Sequence, residues 1–112
     1  MKHIALAVLV LVSTPALAGA CQIDKHQALI DTFQKDSPAR PETVGRRFAL
    51  MANELSAEMT LHAADLLLRD ECLDAADEMY RLVLSRYTEP ELAGVRDQAK
   101  VGIDDVRAAR RR

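Results

Sequence analysis

The sequence predicts an all-α protein: a small helical bundle, or a helical hairpin with a third packing helix, preceded by a short N-terminal helix. Three observations predict it. Apolar residues recur at gaps of three and four through most of the chain, spacings that return to one helix face. Alanine, leucine and valine dominate while aromatics make up only 4%, a balance that suits closely packed helices better than a sheet. Pro38, Pro41 and Pro90 stand where one helix would hand over to the next.

The chain opens with Met1-Lys2-His3 and the apolar run Ile4 to Val12, a positive start followed by a stretch too short for a permanent membrane span. Ser13-Thr14-Pro15 breaks that run. Ala16-Leu17-Ala18 and Ala18-Gly19-Ala20 each satisfy the small-x-small cleavage rule, so residues 1–20 read as a signal peptide cleaved after Ala18 or Ala20. The mature chain is then expected in the periplasm or secreted, with an uncleaved anchor as the alternative. Removing residues 1–20 takes away Lys2 and no acid, which moves the formal charge from −2 to −3. So mild a balance gives no electrostatic reason to expect nucleic-acid binding. The remainder is one small domain with a thin core, able to bury roughly two-thirds of its unfolded surface.

Residues 21–36 carry a short amphipathic helix from about Asp24 to Lys35, with Ile23, Gln27, Ile30 and Phe33 on one face and Leu29 beside them. Asp36-Ser37-Pro38 ends it, because a proline disfavours helical geometry in the residue before it. Residues 37–41 form a stiff polar linker, too short to separate two domains, and residues 42–112 form the main helical domain. Its first helix starts near Pro41, where a proline in the first turn costs nothing, and runs to about Arg69. Gly45 weakens its beginning. The stripe Val44, Phe48, Met51, Leu55, Met59, His62 and Leu66 is expected to face the core, with Arg46, Arg47, Asn53, Glu54 and Glu58 elsewhere. Leu50, Leu61, Leu67 and Leu68 fall off that stripe, so this helix is expected to touch neighbours on two sides.

The periodicity continues through Leu66, Arg69, Leu73, Ala76, Tyr80, Val83 and Tyr87. Local chemistry nevertheless favours a break at Asp70, which can accept from free backbone amides at a helix start, with Glu71 and Asp74 then in a first turn that favours negative charge. Further on, Thr88-Glu89-Pro90-Glu91 predicts another helix start: Thr88 as cap, Glu91 returning the bond, Pro90 in the first turn. The last helix places Leu92, Val95, Ala99, Gly102, Val106 and Ala109 on one face, with Ile103 alongside. Arg107 to Arg112 ends it with positive charge, favourable at a helix C-terminus.

Ala63-Ala64, then Leu67, a charged turn at Arg69 to Glu71, then Ala76, Tyr80 and Val83, with Pro90 slightly late, resemble a single degenerate tetratricopeptide repeat. The first helix lacks the family's large aromatic near its start and the glycine of its small pair. No second copy occurs at the family's period of about 34 residues. The resemblance implies a helical hairpin and a role in protein binding.

Cys21 and Cys72 are the cysteines of the chain. An even count in an oxidising compartment reads first as a disulfide, which over a loop of roughly fifty residues would stabilise the fold by about 4 kcal/mol in the chain-entropy picture. The rival reading is lipidation of Cys21, since Leu17-Ala18-Gly19-Ala20-Cys21 resembles a bacterial lipoprotein cleavage box, with Ala18 where that box usually has leucine. A redox-active pair would want Cys-x-x-Cys spacing, which is absent.

His62, on its apolar stripe, reads as a core histidine satisfied by a neighbour, or else as a ligand or general base. No cysteine or second histidine stands at metal spacing beside it. Asp70, Glu71, Asp74, Asp77 and Glu78 form an acidic cluster that reads as a solvated face, or as a draw for a divalent cation or basic partner, although no calcium-loop glycine or ligand alternation accompanies it. Ser56 and Ser85 lack a nucleophile elbow, and no phosphate-binding glycine loop occurs. No cofactor is implied. The expected function is therefore binding: an adaptor, assembly factor or accessory subunit of the bacterial envelope meeting an unknown protein through Leu50, Leu61, Leu68 and the acidic cluster, with no nucleic acid, and with a membrane only if Cys21 is lipidated. The alternatives are a structural lipoprotein acylated at Cys21, and a small enzyme or metal carrier using His62.

Overall fold

The computed structural model describes residues 20–112, so the expected signal peptide lies, apart from Ala20, outside the described residues. Every regular element among them is helical. A 3-10 turn, Ile23–His26, leads into α1 (Gln27–Lys35). A single turn, α2 (Pro41–Val44), precedes the long α3 (Arg46–Arg69). After a tight corner comes α4 (Leu73–Arg86), then a 3-10 turn, Pro90–Leu92, and α5 (Ala93–Arg111).

Helix α1 stops at Lys35 because Asp36 is already extended ahead of Ser37-Pro38. Gly45 does more than weaken the next helix. Its φ of +89° lies where side-chain-bearing residues are strained, and it divides the expected continuous helix into α2 and α3. The chain does break at Asp70, by a different device from the one expected. Asp70 is not the cap of α4; Cys72 precedes that helix, without a side-chain bond to its amides. Asp70 instead closes α3, Glu71 turns left-handed at φ +64°, the Cys72 amide donates to the Leu67 carbonyl (2.8 Å) and the Glu71 amide to the Leu68 carbonyl (3.0 Å). Those two bonds define a Schellman ending with glutamate in the position that glycine usually fills. Replacing Glu71→Gly is expected to stabilise the fold by about 0.5–1 kcal/mol, read as a raised denaturant midpoint. A lowered midpoint would show that the turn needs the glutamate itself.

The start of α5 also departs from expectation. Glu89, not Thr88, stands at the cap position of the 3-10 turn that leads into it, with no side-chain cap bond, Leu92 stands at that of α5 itself, and Glu91 reaches Arg46 (3.1 Å). The approach is fixed from below by Arg96, whose Nη1 donates to the carbonyls of Tyr87 (2.8 Å) and Glu89 (2.7 Å).

Helices α3, α4 and α5 pack on one another, and α1 leans against α4 with an edge on α3. The bulk of the core comes from Met79, Tyr80, Val83 and Tyr87 of the α4 segment and Leu92 and Val106 of the α5 segment, all at most 1% exposed. Ile30 and Phe33 of α1 join the same core, so the N-terminal helix belongs to the domain it precedes. Arg86 fastens it by donating to the Phe33 carbonyl (2.5 Å), which also accepts from the Asp36 amide (3.3 Å), and to the Gln34 carbonyl, both in the last turn of α1.

The buried Tyr80 hydroxyl donates to the Asp65 carboxylate. Burial first, and the Asp65 bond and charge next, push its ionisation well above the ordinary 10.0. Since an unfolded chain ionises this phenol near pH 10 and the folded one resists, its contribution to stability is complete below that pH and declines as pH rises through and beyond it. The unfolding midpoint of the native chain should therefore fall above about pH 10, and fall less steeply in Tyr80→Phe. Equal slopes in the two proteins would refute the assignment. Tyr87, whose hydroxyl is buried without a hydrogen-bond partner among the described residues, is also raised by burial and supplies the residual slope.

Candidate functional site

Helix α3 has two apolar faces. Ala49, Ala57, Leu61, Ala64 and Leu67 are buried toward α4 and α5, together with Asn53 at 3% exposure. On the opposite side, Phe48, Met51, Leu55 and Met59 are 61%, 66%, 60% and 50% exposed, with Val44 at 42% just before the helix. This inverts the expected orientation: the large-residue stripe faces solvent, and His62 on it is exposed while Leu66 is half-buried. The reason is steric. Alanines let α4 and α5, which bring two tyrosines and a methionine, approach the α3 backbone closely; the stripe's larger side chains would hold them off.

Asn53 orients this helix. Its Oδ1 accepts from the Ala39 amide (2.7 Å), and its Nδ2 donates to the Ala39 carbonyl (3.1 Å) and to Glu89 (2.7 Å). One buried amide thus joins the residue 37–41 linker, α3 and the connection into α5. Sequence reasoning places Asn53 off the core because asparagine is polar; the set Ala49, Asn53, Ala57, Ala64 at helical spacing is the signal that could have found it.

From Phe48 to Met59 the stripe runs about 16 Å along the helix. Four side chains each leaving roughly 100 Å² in water make a patch of about 400–500 Å², the size at which exposed apolar surface on a small protein usually has a purpose. By helical spacing, Arg47, Glu54 and Glu58 border one edge and Ala52 and Ser56 the other.

The expected interaction residues are divided by the structure. Leu61 is 6% exposed and belongs to the core, so it is not available to a partner. Leu50 and Leu68 are half-buried, packed against that core. The acidic residues mostly make contacts within the chain. Asp70 meets His26 (2.9 Å), Asp74 meets Arg110 (2.6 Å), Asp77 meets Arg81 (2.8 Å) and Glu78 meets Gln34 (3.4 Å), while Glu71 occupies the turn. Each pair has at least one partner well exposed to water and is worth about 0–1 kcal/mol, so they orient helix ends more than they stabilise. His26 is half-buried in its pair with Asp70 rather than free on the surface.

Cys21 and Cys72 are joined as a disulfide, Cα to Cα 4.8 Å, across 51 positions. The bridge pins the start of the described chain to the α3–α4 corner. Beside it an open cleft is lined by Ile23, Leu73, Ala75 and Arg110. A thioether-linked lipid would need the same Cys21 sulfur, so bridge and lipidation exclude each other. Among the described residues, no three His, Cys, Asp or Glu side chains converge as metal ligands would, and no helix is long and apolar enough to cross a membrane.

Fold and surface together define a small all-α domain, stapled at one corner, with an apolar helix face that none of the described residues covers. Compared with known proteins, the chain matches no family model, no curated protein and no solved structure.

Proposed function

We propose that this chain is an exported bacterial envelope protein that works by binding another protein, as an adaptor, assembly factor or accessory subunit. The observation that carries the proposal is the α3 stripe of Phe48, Met51, Leu55 and Met59, held outward by a fold whose own core uses the opposite face. Burying such a patch stabilises a complex at about 25 cal/mol per Å² before the costs of association. The α3–α4 hairpin, with its small pair Ala63-Ala64 and Tyr80, is consistent with a tetratricopeptide-like unit, a class of hairpin used for protein recognition. The bridge between Cys21 and Cys72 suits an oxidising compartment beyond the membrane.

Two measurements test this reading. Intact mass of the exported chain with and without reductant should show cleavage after Ala18 or Ala20 and a gain of two hydrogens on reduction; a mass raised by a diacylglycerol would hand Cys21 to the structural-lipoprotein alternative. A tagged chain should retain a partner from periplasmic extract, an untagged copy of itself counting as one, and Leu55→Glu should release it. A chain that stays monomeric and retains nothing overturns the proposal.

A further inference from the structure

We infer that the occupant of the α3 stripe is a second copy of this chain, lying antiparallel across a two-fold axis near residues 53 and 54. The inference rests on the binding reading and names its partner. A two-fold contact requires a surface that complements itself, and the stripe has that property in size and in the pairing of its ends. Laid antiparallel, Phe48 of one copy meets Met59 of the other and Met51 meets Leu55, so each large or polarisable side chain faces one of different shape, with sulfur against the aromatic ring. The same arrangement brings like edges together and sets Arg47, at the N-terminal end, beside Glu58 of the second copy, twice over; these two pairs outweigh the one like-charge contact it creates, Glu54 near Glu54 of the second copy beside the axis. A parallel pairing would place the charged edge against Ala52 and Ser56 and form neither pair.

The area is sufficient. Two stripes of about 450 Å² each, with Val44 and the aliphatic stems of Arg47 and Glu58, bury on the order of 1,200 Å² in total, the lower bound for a specific interface. Lipid is a poorer fit. A helix that lies in a membrane surface carries lysine and arginine along its polar side, whereas this edge holds Glu54 and Glu58 beside a single arginine.

Sedimentation equilibrium of the oxidised, exported chain tests the inference. A dimer with a dissociation constant on the order of 1 μM is expected. Met51→Glu/Leu55→Glu should weaken it at least about 100-fold and leave the helical circular dichroism unchanged, because both positions face solvent in the single copy. Arg47→Glu should weaken the dimer by about 3–10-fold, and Arg47→Glu/Glu58→Arg should restore it. A chain that remains monomeric at about 100 μM, or a dimer indifferent to the Met51 and Leu55 changes, overturns the inference. A photo-crosslinking side chain at position 55, used in intact cells, separates this failure from that of the underlying reading. An adduct of twice the chain mass supports the second copy. An adduct with a different protein overturns the self-pairing and keeps the binding function, and no adduct overturns both.

Discussion

Replacing both cysteines, Cys21→Ser with Cys72→Ala, is expected to lower the unfolding free energy by about 4 kcal/mol. The magnitude follows from the length of chain that the bridge closes, 51 positions, and from how little else holds the closed end. Between Cys21 and the linker only Ile30 and Phe33 are buried, helped by the grip of Arg86 and the half-buried His26 paired with Asp70. For a domain of this size, whose whole stability is about 5–10 kcal/mol, that loss is a large share. Denaturant unfolding with and without a phosphine reductant measures it. Hydrogen exchange should show where the loss begins: amides of α1 lose protection first, while α4 and α5 keep theirs. If the thiol form is as stable as the bridged form and exchanges no faster over α1, the bridge is not what secures that helix.

The second large effect is expected at Gly102. A Cβ built there would lie 2.3 Å from both Cε1 and Cζ of Tyr80, well inside contact distance. The ring has no easy escape, since it is 1% exposed and its hydroxyl is bonded to Asp65 on α3. Gly102→Ala gains about 1 kcal/mol of helix propensity, but overpacking costs about 1–3 kcal/mol or more, and at this separation the clash wins by about 2 kcal/mol. Thermal unfolding should therefore shift down by roughly 8–16 °C. Gly94 lies in the same helix and supplies the control: none of the described residues stands within 4 Å of a Cβ there, so Gly94→Ala should raise the midpoint instead. Equal responses at the two positions would show that α4 and α5 are not in close contact at Gly102.

Much of this architecture is legible in the residues. The order of helices, the inward faces of α4 and α5 and the pairing of the two cysteines follow from periodicity, proline placement and counting, and the break at Asp70 follows from local capping chemistry, although Asp70 closes α3 rather than capping α4. What escapes is α3, and the reason is symmetry of pattern. Phe48, Met51, Leu55 and Met59 repeat with the helix period, and so do Ala49, Ala57 and Ala64 half a turn away. Hydrophobicity ranks the first set higher, but close packing against Tyr80 and Tyr87 requires the second, and a local pattern carries no information about the size of a neighbour's side chains. The interaction residues went the same way: Leu61 looked spare because the other face looked occupied. The turn at Glu71 depends on backbone conformation, which spacing does not reveal; glycines at 94 and 102 each permit a close helix approach, but only an opposing ring decides that the approach is made at Gly102 and not at Gly94.

Two apolar faces on one helix also create a competitor during folding. Rotated by half a turn, α3 would bury more hydrocarbon than it does in the native arrangement, so hydrophobic gain by itself selects the wrong side. Close packing on Ala49, Ala57 and Ala64 opposes that choice, and Asn53 adds to the discrimination. Facing inward it has three bonds, to the Ala39 backbone and to Glu89; rotated outward, it would return to water and leave the linker carrying Ala39 unfastened. One buried amide thereby joins the alanine packing in setting the rotational phase of the longest helix, and with it which residues the protein shows to the outside.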